Sequence, residues 1–498
     1  MKFVNINKSI ICVAALLVII AGTSCKKGFL DVNDDPNRST DKNIRADLLF
    51  PQAAVYVGNR MATNNLRFLN CWMGYFAQPG DFAILQDETS YSIDFTFGDN
   101  LWQNHYDALY DLYLTKVKAL AVQDSVLAGS AMVLSARLFQ DLVDIFGNIP
   151  YSQAFQTLIY RQPAYDKGQD VYNALQKSLD SAITFLHATP SDNFEAVDIV
   201  NHGDATQWIK FANTLKLRLL IHQSQMAGFN PAPEIAKIIS NGGVLHAGED
   251  IDVNPGFVNE NAKQSPFYAN FGNTPTGADA STSTRANAYF VDLLGHYDDA
   301  RIERFFNPVG TSFVGATYGL VEGNPGGAAS SRIGPGLAGS ATQDAWIFPA
   351  YESMFLEAEA IARGWMPGDV QTAYEAAVTE SFVWLGVEDA ADWAHEYLTT
   401  ADIAIWANAG SSVSDQVKFI AFQKYIALGG VDPTESWSDL RRLNMIPDNG
   451  YISVNPSRIS NTLPVRLLYP QSEYTANGSN VRAQGTINQF TSKIFWQP

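Results

Sequence analysis

The chain has 498 residues, with 51 acidic against 33 basic side chains and a formal net charge of −18. This acidic balance excludes nucleic acid as a partner, because phosphates would be repelled and no cluster of lysine and arginine offsets the repulsion. Hydrophobic residues make up 46% of the sequence, so the chain can bury a large core and is not disordered by composition.

The N-terminus has the pattern of a secretory signal peptide. Lys2 and Lys8 precede an unbroken apolar run at residues 10–21, and small residues follow directly before Cys25. Twelve apolar residues rise only about 18 Å as a helix, which is short of the ~30 Å hydrocarbon core of a membrane. We therefore predict that residues 1–24 are a signal peptide that is removed.

Cys25 resembles the modified cysteine of the lipobox in bacterial lipoproteins. The resemblance implies that its thiol becomes a thioether to diacylglycerol, which would anchor the protein to a membrane. We expect residues 25–43 to form an extended tether, since turn-forming residues follow the cysteine: Asn33, Asp34, Asp35, Pro36 and Asn37. The alternative is an ordinary secreted protein that is cut near this position.

The remaining cysteines predict a fold without a disulfide. Cys12 lies in the signal peptide and Cys25 is the proposed lipid site, so Cys71 has no partner within the chain. Cys71 stands among apolar neighbours in FLNCWMGYF, which favours a buried structural thiol over a nucleophile.

Helical patterns occupy two blocks of the sequence, separated by an irregular segment. Apolar residues recur at spacings of three and four in residues 48–78, 100–145, 170–187 and 204–225, and again in residues 346–362, 369–384 and 413–428. Residues 229–345 are instead rich in glycine, Asn-Pro and Thr-Pro pairs. We predict a helical part at 44–228, a loop-rich insert at 229–345, and a second helical block with a tail at 346–498, all packing as one domain.

Parts of both blocks fit the tetratricopeptide repeat, a helix pair that buries its apolar face by stacking on neighbours. In the first match, large apolar residues surround a small one, as in the first helix of the repeat; the residues are Trp208, Phe211, Ala212 and Leu215. In the second match, Ala358, Tyr374 and Ala377 occupy the small, aromatic and alanine positions of the repeat. The pattern predicts a mainly α, tetratricopeptide-like helical-repeat scaffold, although generic helical hairpins would give similar matches.

Sequence blocks in a fixed order resemble the SusD/RagB family, and are closest to its SusD-like lipoprotein branch. After Cys25 they read FLDVNDDPN, ARLFQDLVDIFGNIPYSQAF, FANTLKLRLL, FLEAEAIARG, ESWSDLRRLN and VRLLYPQSEYTAN. The resemblance implies a tetratricopeptide-like half and a loop-rich half that carries much of the ligand site. It also implies a lipid-anchored protein of a Bacteroidetes-type outer membrane that faces the cell exterior, binds oligosaccharide or peptide, and partners a SusC-like TonB-dependent transporter.

Most residues in these blocks have roles that are explained by folding and not by catalysis. In ARLFQDLVDIFGNIPY we expect a helix to end at Phe146, since Gly147 and Asn148 follow and Pro150 prevents its continuation. In ESWSDLRRLN we expect Arg441 and Arg442 to hold a loop to a carboxylate instead of taking part in catalysis.

No motif of a known catalytic or nucleotide-binding site occurs in the sequence, and its seven histidines are scattered singly. We therefore predict a binding protein that is not an enzyme and uses no metal or cofactor. Two alternatives stay open. The first is a secreted glycan hydrolase, whose two catalytic carboxylates would be close in the folded protein but not in the sequence. The second is a helical scaffold that binds only protein.

A sugar site needs exposed aromatic rings beside planar polar groups, since sugars stack their C–H faces on rings and pair their hydroxyls with amides and carboxylates. The segment around Pro79-Gly80 supplies such groups, namely Trp72, Tyr75, Phe76, Gln78, Asp81, Phe82 and Tyr91. We expect a second wall from the insert, from Asn273, Asp279, Arg285 and Tyr289. Alternatively, Trp72 and Phe76 are one helical turn apart and would form a stripe facing the core.

Overall fold

The computed structural model of the chain describes residues 44–60 and 64–498. Cys25 and the predicted signal peptide and tether lie outside the described residues, so lipidation at Cys25 stays a prediction. Residues Ala46–Pro498 form one compact unit.

Helices dominate this unit. In the N-terminal part they are α1 (Ala46–Asn59), α2 (Asn64–Trp72), α3 (Gln86–Ser90), α4 (Asp99–Ala121), α5 (Ser125–Phe146), α6 (Gly168–Leu186), α7 (Phe194–Val197) and α8 (Ala205–His222). In the middle they are α9 (Ala232–Ser240), α10 (Pro266–Phe271), α11 (Ala288–His296) and α12 (Ile302–Phe305). In the C-terminal part they are α13 (Ala350–Ala362), α14 (Val370–Trp384), α15 (Ala390–Thr400), α16 (Val413–Ala427), α17 (Pro433–Leu443), α18 (Gln471–Ala476) and α19 (Gly478–Arg482).

Neighbouring helices stack in the manner predicted for helical repeats. Helix α4 packs on α5, α5 on α6, and α6 on α8, while α13 packs on α14 and α14 on α15. The side chains that fit the repeat pattern, Trp208, Phe211 and Ala212 in one block and Tyr374 and Ala377 in the other, are fully buried. The predicted mainly α, repeat-like fold is therefore confirmed.

The continuous pattern at residues 100–145 divides into two helices. Gln123 takes a left-handed conformation with φ of 64°, which ends α4 and turns the chain. Asp124 then caps α5, because its carboxylate accepts a hydrogen bond of 3.1 Å from the backbone N–H of Leu127. At the other end α5 stops at Phe146 and Gly147 has φ of +83°, so the predicted helix end is confirmed.

The insert contains short helices and strands as well as loops. Strand β1 (Phe76–Ala77) pairs antiparallel with β3 (Arg285–Ala286), and β2 (Ile251–Val253) pairs antiparallel with β4 (Ala345–Phe348). Both pairings join distant parts of the sequence, so they fix the insert to the helical scaffold.

Charged side chains from several helices meet in the core. Arg442 in α17 donates to both carboxylate oxygens of Glu359 in α13, at 2.6 and 2.8 Å, so it pairs with a carboxylate as predicted but joins two helices instead of holding a loop. Arg441 behaves differently from that prediction: it donates to the backbone carbonyls of Asp144 and Val465, and its guanidinium lies 3.8 Å from the ring centroid of Trp437.

Helix α5 is the one described helix that is long and apolar enough to cross a membrane, and it is almost entirely buried in the core of this unit. Cys71 is a buried free thiol, as predicted. Burial raises its pKa to about 12, which keeps the thiol protonated and unreactive at neutral pH.

Candidate functional site

A cavity of about 450 Å³ lies where the loop after β1 meets three segments of the insert. We call it the Arg332 cavity. Asp81 and Phe82 line it from the loop, and the insert segments contribute Asp279 with Arg285, Asn307, and Arg332.

Strand pairing explains how these distant residues meet. Ala77 lies opposite Arg285 in the β1–β3 ladder, so the chain that leaves β1 runs beside the insert. The N–H of Gly80 then donates to the carbonyl of Pro325 at 2.9 Å. A Cβ atom at Gly80 would lie 2.3 Å from the carbonyl oxygen of Asn324, so only glycine allows this close approach.

Asp81 and Phe82 follow directly and face solvent. The carboxylate of Asp81 accepts a hydrogen bond from the backbone N–H of Gly327, which fixes its position at the cavity wall. The side chain of Phe82 is 38% exposed, which leaves an apolar ring open to solvent beside the polar groups.

Asp279 bridges two guanidinium groups. One carboxylate oxygen accepts from Arg285 at 2.9 Å, and the other lies 3.2 Å from Arg332. Arg285 also donates to the backbone carbonyls of Gly327 and Thr284, at 2.9 and 2.8 Å. Burial lowers the pKa of Arg285, and Asp279 acts in the opposite direction. Arg285 thus has its donors occupied by the protein and holds the wall together.

Arg332 and Asn307 present polar groups to the cavity. Arg332 donates from Nη2 to the carbonyl of Gly272 and to the side-chain oxygen of Asn273, both at 2.9 Å, and its Nη1 makes no hydrogen bond to the described residues. Asn307 lies at the exposed rim and donates to the carbonyl of Ile333 at 2.8 Å, which orients its amide. A guanidinium, an amide, a carboxylate and an apolar ring can together hold a hydroxyl-bearing ring by hydrogen bonds and stacking.

The three large aromatic residues proposed for this site lie in the core. The indole of Trp72 donates to the carbonyl of Glu88 at 3.1 Å, the hydroxyl of Tyr75 donates to the carbonyl of Tyr425 at 2.7 Å, and none of the ring surface is exposed. Tyr91 is equally buried, and its hydroxyl accepts from the backbone N–H of Ser453 at 2.8 Å. The expectation that these rings are exposed is therefore wrong, because Trp72 at the end of α2, Tyr75 before β1 and Tyr91 after α3 all point into the core.

The other predicted site residues divide into two groups. Asp81, Phe82, Asp279 and Arg285 come together in the Arg332 cavity, and Asn273 contacts it through Arg332. Gln78 is half-buried outside the lining, Phe76 is buried in β1, and Tyr289 packs on Tyr451 with 6.2 Å between ring centroids. Contact of any of these residues with a ligand stays a prediction.

Sequence reasoning missed Asn307 and Arg332. Both stand in irregular stretches of the insert, where no periodicity shows which side chains are exposed. Their one local signal is an adjacent turn residue, Pro308 after Asn307 and Gly334 shortly after Arg332.

In the described parts of the chain, no group of three or more histidine, cysteine, aspartate or glutamate side chains is arranged to hold a metal ion.

Comparisons with known proteins agree on one fold. The structure is similar to a chitin-binding SusD homolog from Flavobacterium johnsoniae, with a TM-score of 0.75, 22% identity, and coverage of 90% of this chain and 98% of the other. It is also similar to a SusD-like protein from Bacteroides thetaiotaomicron, with a TM-score of 0.72, 24% identity, and coverage of 91% and 98%. A SusD/RagB family protein from the same organism gives a TM-score of 0.74 at 20% identity, with coverage of 91% and 99%.

A comparison with curated protein sequences gave no match. Residues 36–470 match the sequence model of the SusD-like family that is described as starch-binding and associating with the outer membrane. This match covers most of the chain and agrees with the resemblance seen in the sequence blocks. The chain therefore belongs to the SusD-like family.

Proposed function

We propose that this protein is a cell-surface nutrient-binding lipoprotein, which captures an oligosaccharide in the Arg332 cavity and delivers it to a SusC-like TonB-dependent transporter. The observation that carries the proposal is the exposed ring of Phe82 beside the guanidinium of Arg332 and the amide of Asn307. This combination suits a sugar, which offers an apolar C–H face and a rim of hydroxyl groups. The protein acts by binding, without catalysis.

Two comparisons support the class of ligand. The family is described as starch-binding, and a similar structure of 22% identity belongs to a chitin-binding protein. Starch and chitin are both uncharged polymers of six-membered sugar rings. The cavity is also balanced in charge, because Asp81 and Asp279 face Arg285 and Arg332. Maltohexaose and N-acetylated chitohexaose are therefore the first probes to use.

The direct test is retention of the mature protein on immobilised maltohexaose and chitohexaose, with analysis of the sugar that leaves the column. A binding protein returns the sugar intact, a hydrolase releases shorter products, and a scaffold that binds only protein is not retained. We expect retention of at least one sugar without cleavage. Absence of retention by the folded protein would contradict the proposal.

Site variants locate the binding. Phe82→Ala and Arg332→Ala should each weaken binding of the retained sugar about tenfold, since we expect both to be among the few hot-spot contacts whose truncation costs more than about 1 kcal/mol. Phe95→Ala is the matched control, because its ring is also exposed, at 43%, but lies outside the lining of the cavity. Melting temperatures of all three variants separate lost contacts from lost folding.

The lipid anchor and the transporter need their own tests. Cys25→Ser should move the protein from the outer-membrane fraction to the soluble fraction, because the two or three acyl chains that give stable anchoring would be absent. Extraction of the wild-type protein in mild detergent should bring down a large barrel protein. Retention of Cys25→Ser in the outer membrane would refute the anchor, and purification without a barrel partner under every mild condition would refute delivery to a transporter.

A further inference from the structure

A second cleft, of about 800 Å³, opens between the turn that joins α11 to α12 and the start of α15. We call it the Trp393 cleft. The groups on which the argument depends are Asp298, Glu303 and Arg304 on one wall and Glu388, Trp393 and Glu396 on the other.

Trp393 offers an aromatic surface at the mouth of this cleft. Its side chain is 44% exposed, whereas Ala394 and Tyr397 of the same helix are buried and face the core. Glu396 lies three residues along the helix and therefore shares the exposed face with Trp393. The exposed indole thus provides apolar surface at the mouth of the cleft on which a sugar ring can stack.

The two walls are held rigidly to each other. The guanidinium of Arg301, at the start of α12, lies 4.5 Å from the ring centroid of Phe382 and 5.1 Å from that of Tyr397 in α15. Arg301 also donates to the carboxylate of Asp299 at 2.6 Å and to the hydroxyl of Ser381 at 2.9 Å. The cleft is therefore formed before any ligand arrives, which lowers the entropic cost of binding.

The polar groups of the cleft suit an uncharged sugar. The guanidinium of Arg304 donates its Nε–H to the carbonyl of Leu385 at 2.9 Å, and this is its one side-chain hydrogen bond to described residues, so its terminal nitrogens have donors to spare. Carboxylates supply acceptors beside it, and they come from exposed Asp298, Glu303, Glu388 and Glu396. Acidic sugars would be repelled by these four charges, whereas hydroxyl groups would be bound.

The Trp393 cleft and the Arg332 cavity are neighbours. Glu303 and Arg304 line the cleft, and Asn307 lines the cavity only a few residues further along the chain. The four Cα–Cα steps from Glu303 to Asn307 span at most about 14 Å. One ligand chain of several sugar rings could therefore lie across both.

We propose that the Trp393 cleft is a second carbohydrate subsite, which binds the far end of an uncharged oligosaccharide whose near end lies in the Arg332 cavity. The proposal rests on the proposed function for the nature of the ligand. It adds a dependence on chain length: hexasaccharides bind more tightly than disaccharides, and the difference comes from stacking on Trp393.

The test measures the affinity of each protein variant for sugars of two lengths by isothermal titration calorimetry. Maltose, maltohexaose, chitobiose and chitohexaose are titrated into the wild-type protein, Trp393→Ala, Trp393→Phe, and the control Phe95→Ala. We expect Trp393→Ala to weaken binding of the favoured hexasaccharide about tenfold and to leave the matching disaccharide unchanged. Trp393→Phe keeps a ring and should retain most of the affinity for the hexasaccharide, and melting temperatures verify that each variant is folded.

The outcomes distinguish this proposal from the proposed function. If Trp393→Ala binds the hexasaccharide as tightly as the wild-type protein, or if the wild-type protein binds both lengths equally, the second subsite is refuted and capture in the Arg332 cavity stands. If Phe82→Ala, titrated alongside, weakens binding of both lengths while Trp393→Ala weakens only the longer one, both proposals are supported. If the folded wild-type protein binds none of the four sugars, both are refuted.

Discussion

Removing the guanidinium of Arg442 is expected to destabilise the protein strongly, and Arg442→Met is the variant that tests it. Arg442 is buried, and besides its two hydrogen bonds to Glu359 it donates to Asp439 at 2.7 Å. Methionine fills a similar volume but cannot donate a hydrogen bond. The variant therefore leaves Glu359 with only Arg363, and Asp439 with only Lys424, as an ion-pair partner among the described residues.

The pKa of Glu359 gives the size of the effect. Burial by itself would raise this pKa, but Arg442 and Arg363 outweigh burial and lower it from 4.5 to about 2. A difference of this size corresponds to roughly 3 kcal/mol, and loss of one partner of a buried ion pair typically costs about 3–5 kcal/mol. Because the pKa is lowered in the folded state, this stability is present above about pH 4.5 and is lost as the pH falls toward 2.

Urea unfolding at pH 7, followed by tryptophan fluorescence and circular dichroism, measures the loss. We expect the free energy of unfolding to fall by about 3 kcal/mol in Arg442→Met. Arg363→Met is the matched control, since Arg363 donates to the same Glu359 at 2.8 Å but is partly exposed, so its loss should cost less. A decrease below about 1 kcal/mol in Arg442→Met, or equal decreases in the two variants, would refute the reasoning.

Further predictions concern pH and the core hydroxyls. Burial, with Asp250 and Asp344, raises the pKa of Asp252 from 3.8 to about 8, so the folded protein keeps a proton that the unfolded chain releases and stability falls as the pH rises between these values. Asp252→Asn should remove this dependence, measured by urea unfolding at pH 5 and pH 8, and an unchanged slope would contradict the assignment. Tyr75→Phe should lower the free energy of unfolding by about 1–2 kcal/mol, because two buried hydrogen bonds are lost. The same variant should bind maltohexaose or chitohexaose as the wild-type protein does, and a weakened affinity at unchanged stability would return Tyr75 to the site.

The helical scaffold could be predicted because its helices carry a periodic pattern. Residues 204–225 and 413–428 correspond closely to α8 (Ala205–His222) and α16 (Val413–Ala427). The break between α4 and α5 could not be predicted, because a single residue in a left-handed conformation, Gln123, interrupts an otherwise continuous apolar pattern. The insert shows no period at all, and the structure of its loops depends on contacts with distant parts of the chain.

In the candidate site, too, some residues could be predicted from their neighbours in the sequence, whereas others depend on the tertiary fold. Asp81, Asp279 and Arg285 could be named from their residue types and turn-rich surroundings, and the cavity contains all three. Burial could not be read from residue type, since Trp72 and Tyr91 suit a sugar site and a core equally well. Asn307 and Arg332 reach the cavity only through the tertiary fold, so no local pattern marked them.

The ESWSDLRRLN block takes part in forming the site, although it lies outside the cavity. Within this block, the hydroxyl of Ser436 in α17 lies 2.8 Å from the hydroxyl of Tyr75, the residue immediately before β1. On the other side, the backbone N–H of Asn287 donates to the carbonyl of Tyr75 at 3.1 Å, next to β3. The backbone of Tyr75 thus extends the β1–β3 pairing, with phenylalanine as well as with tyrosine, and that pairing brings Asp81 beside Arg285. The ESWSDLRRLN block therefore packs behind the strand pair that leads to Asp81, whereas the residues proposed to contact a sugar, Phe82, Asn307 and Arg332, lie in loops.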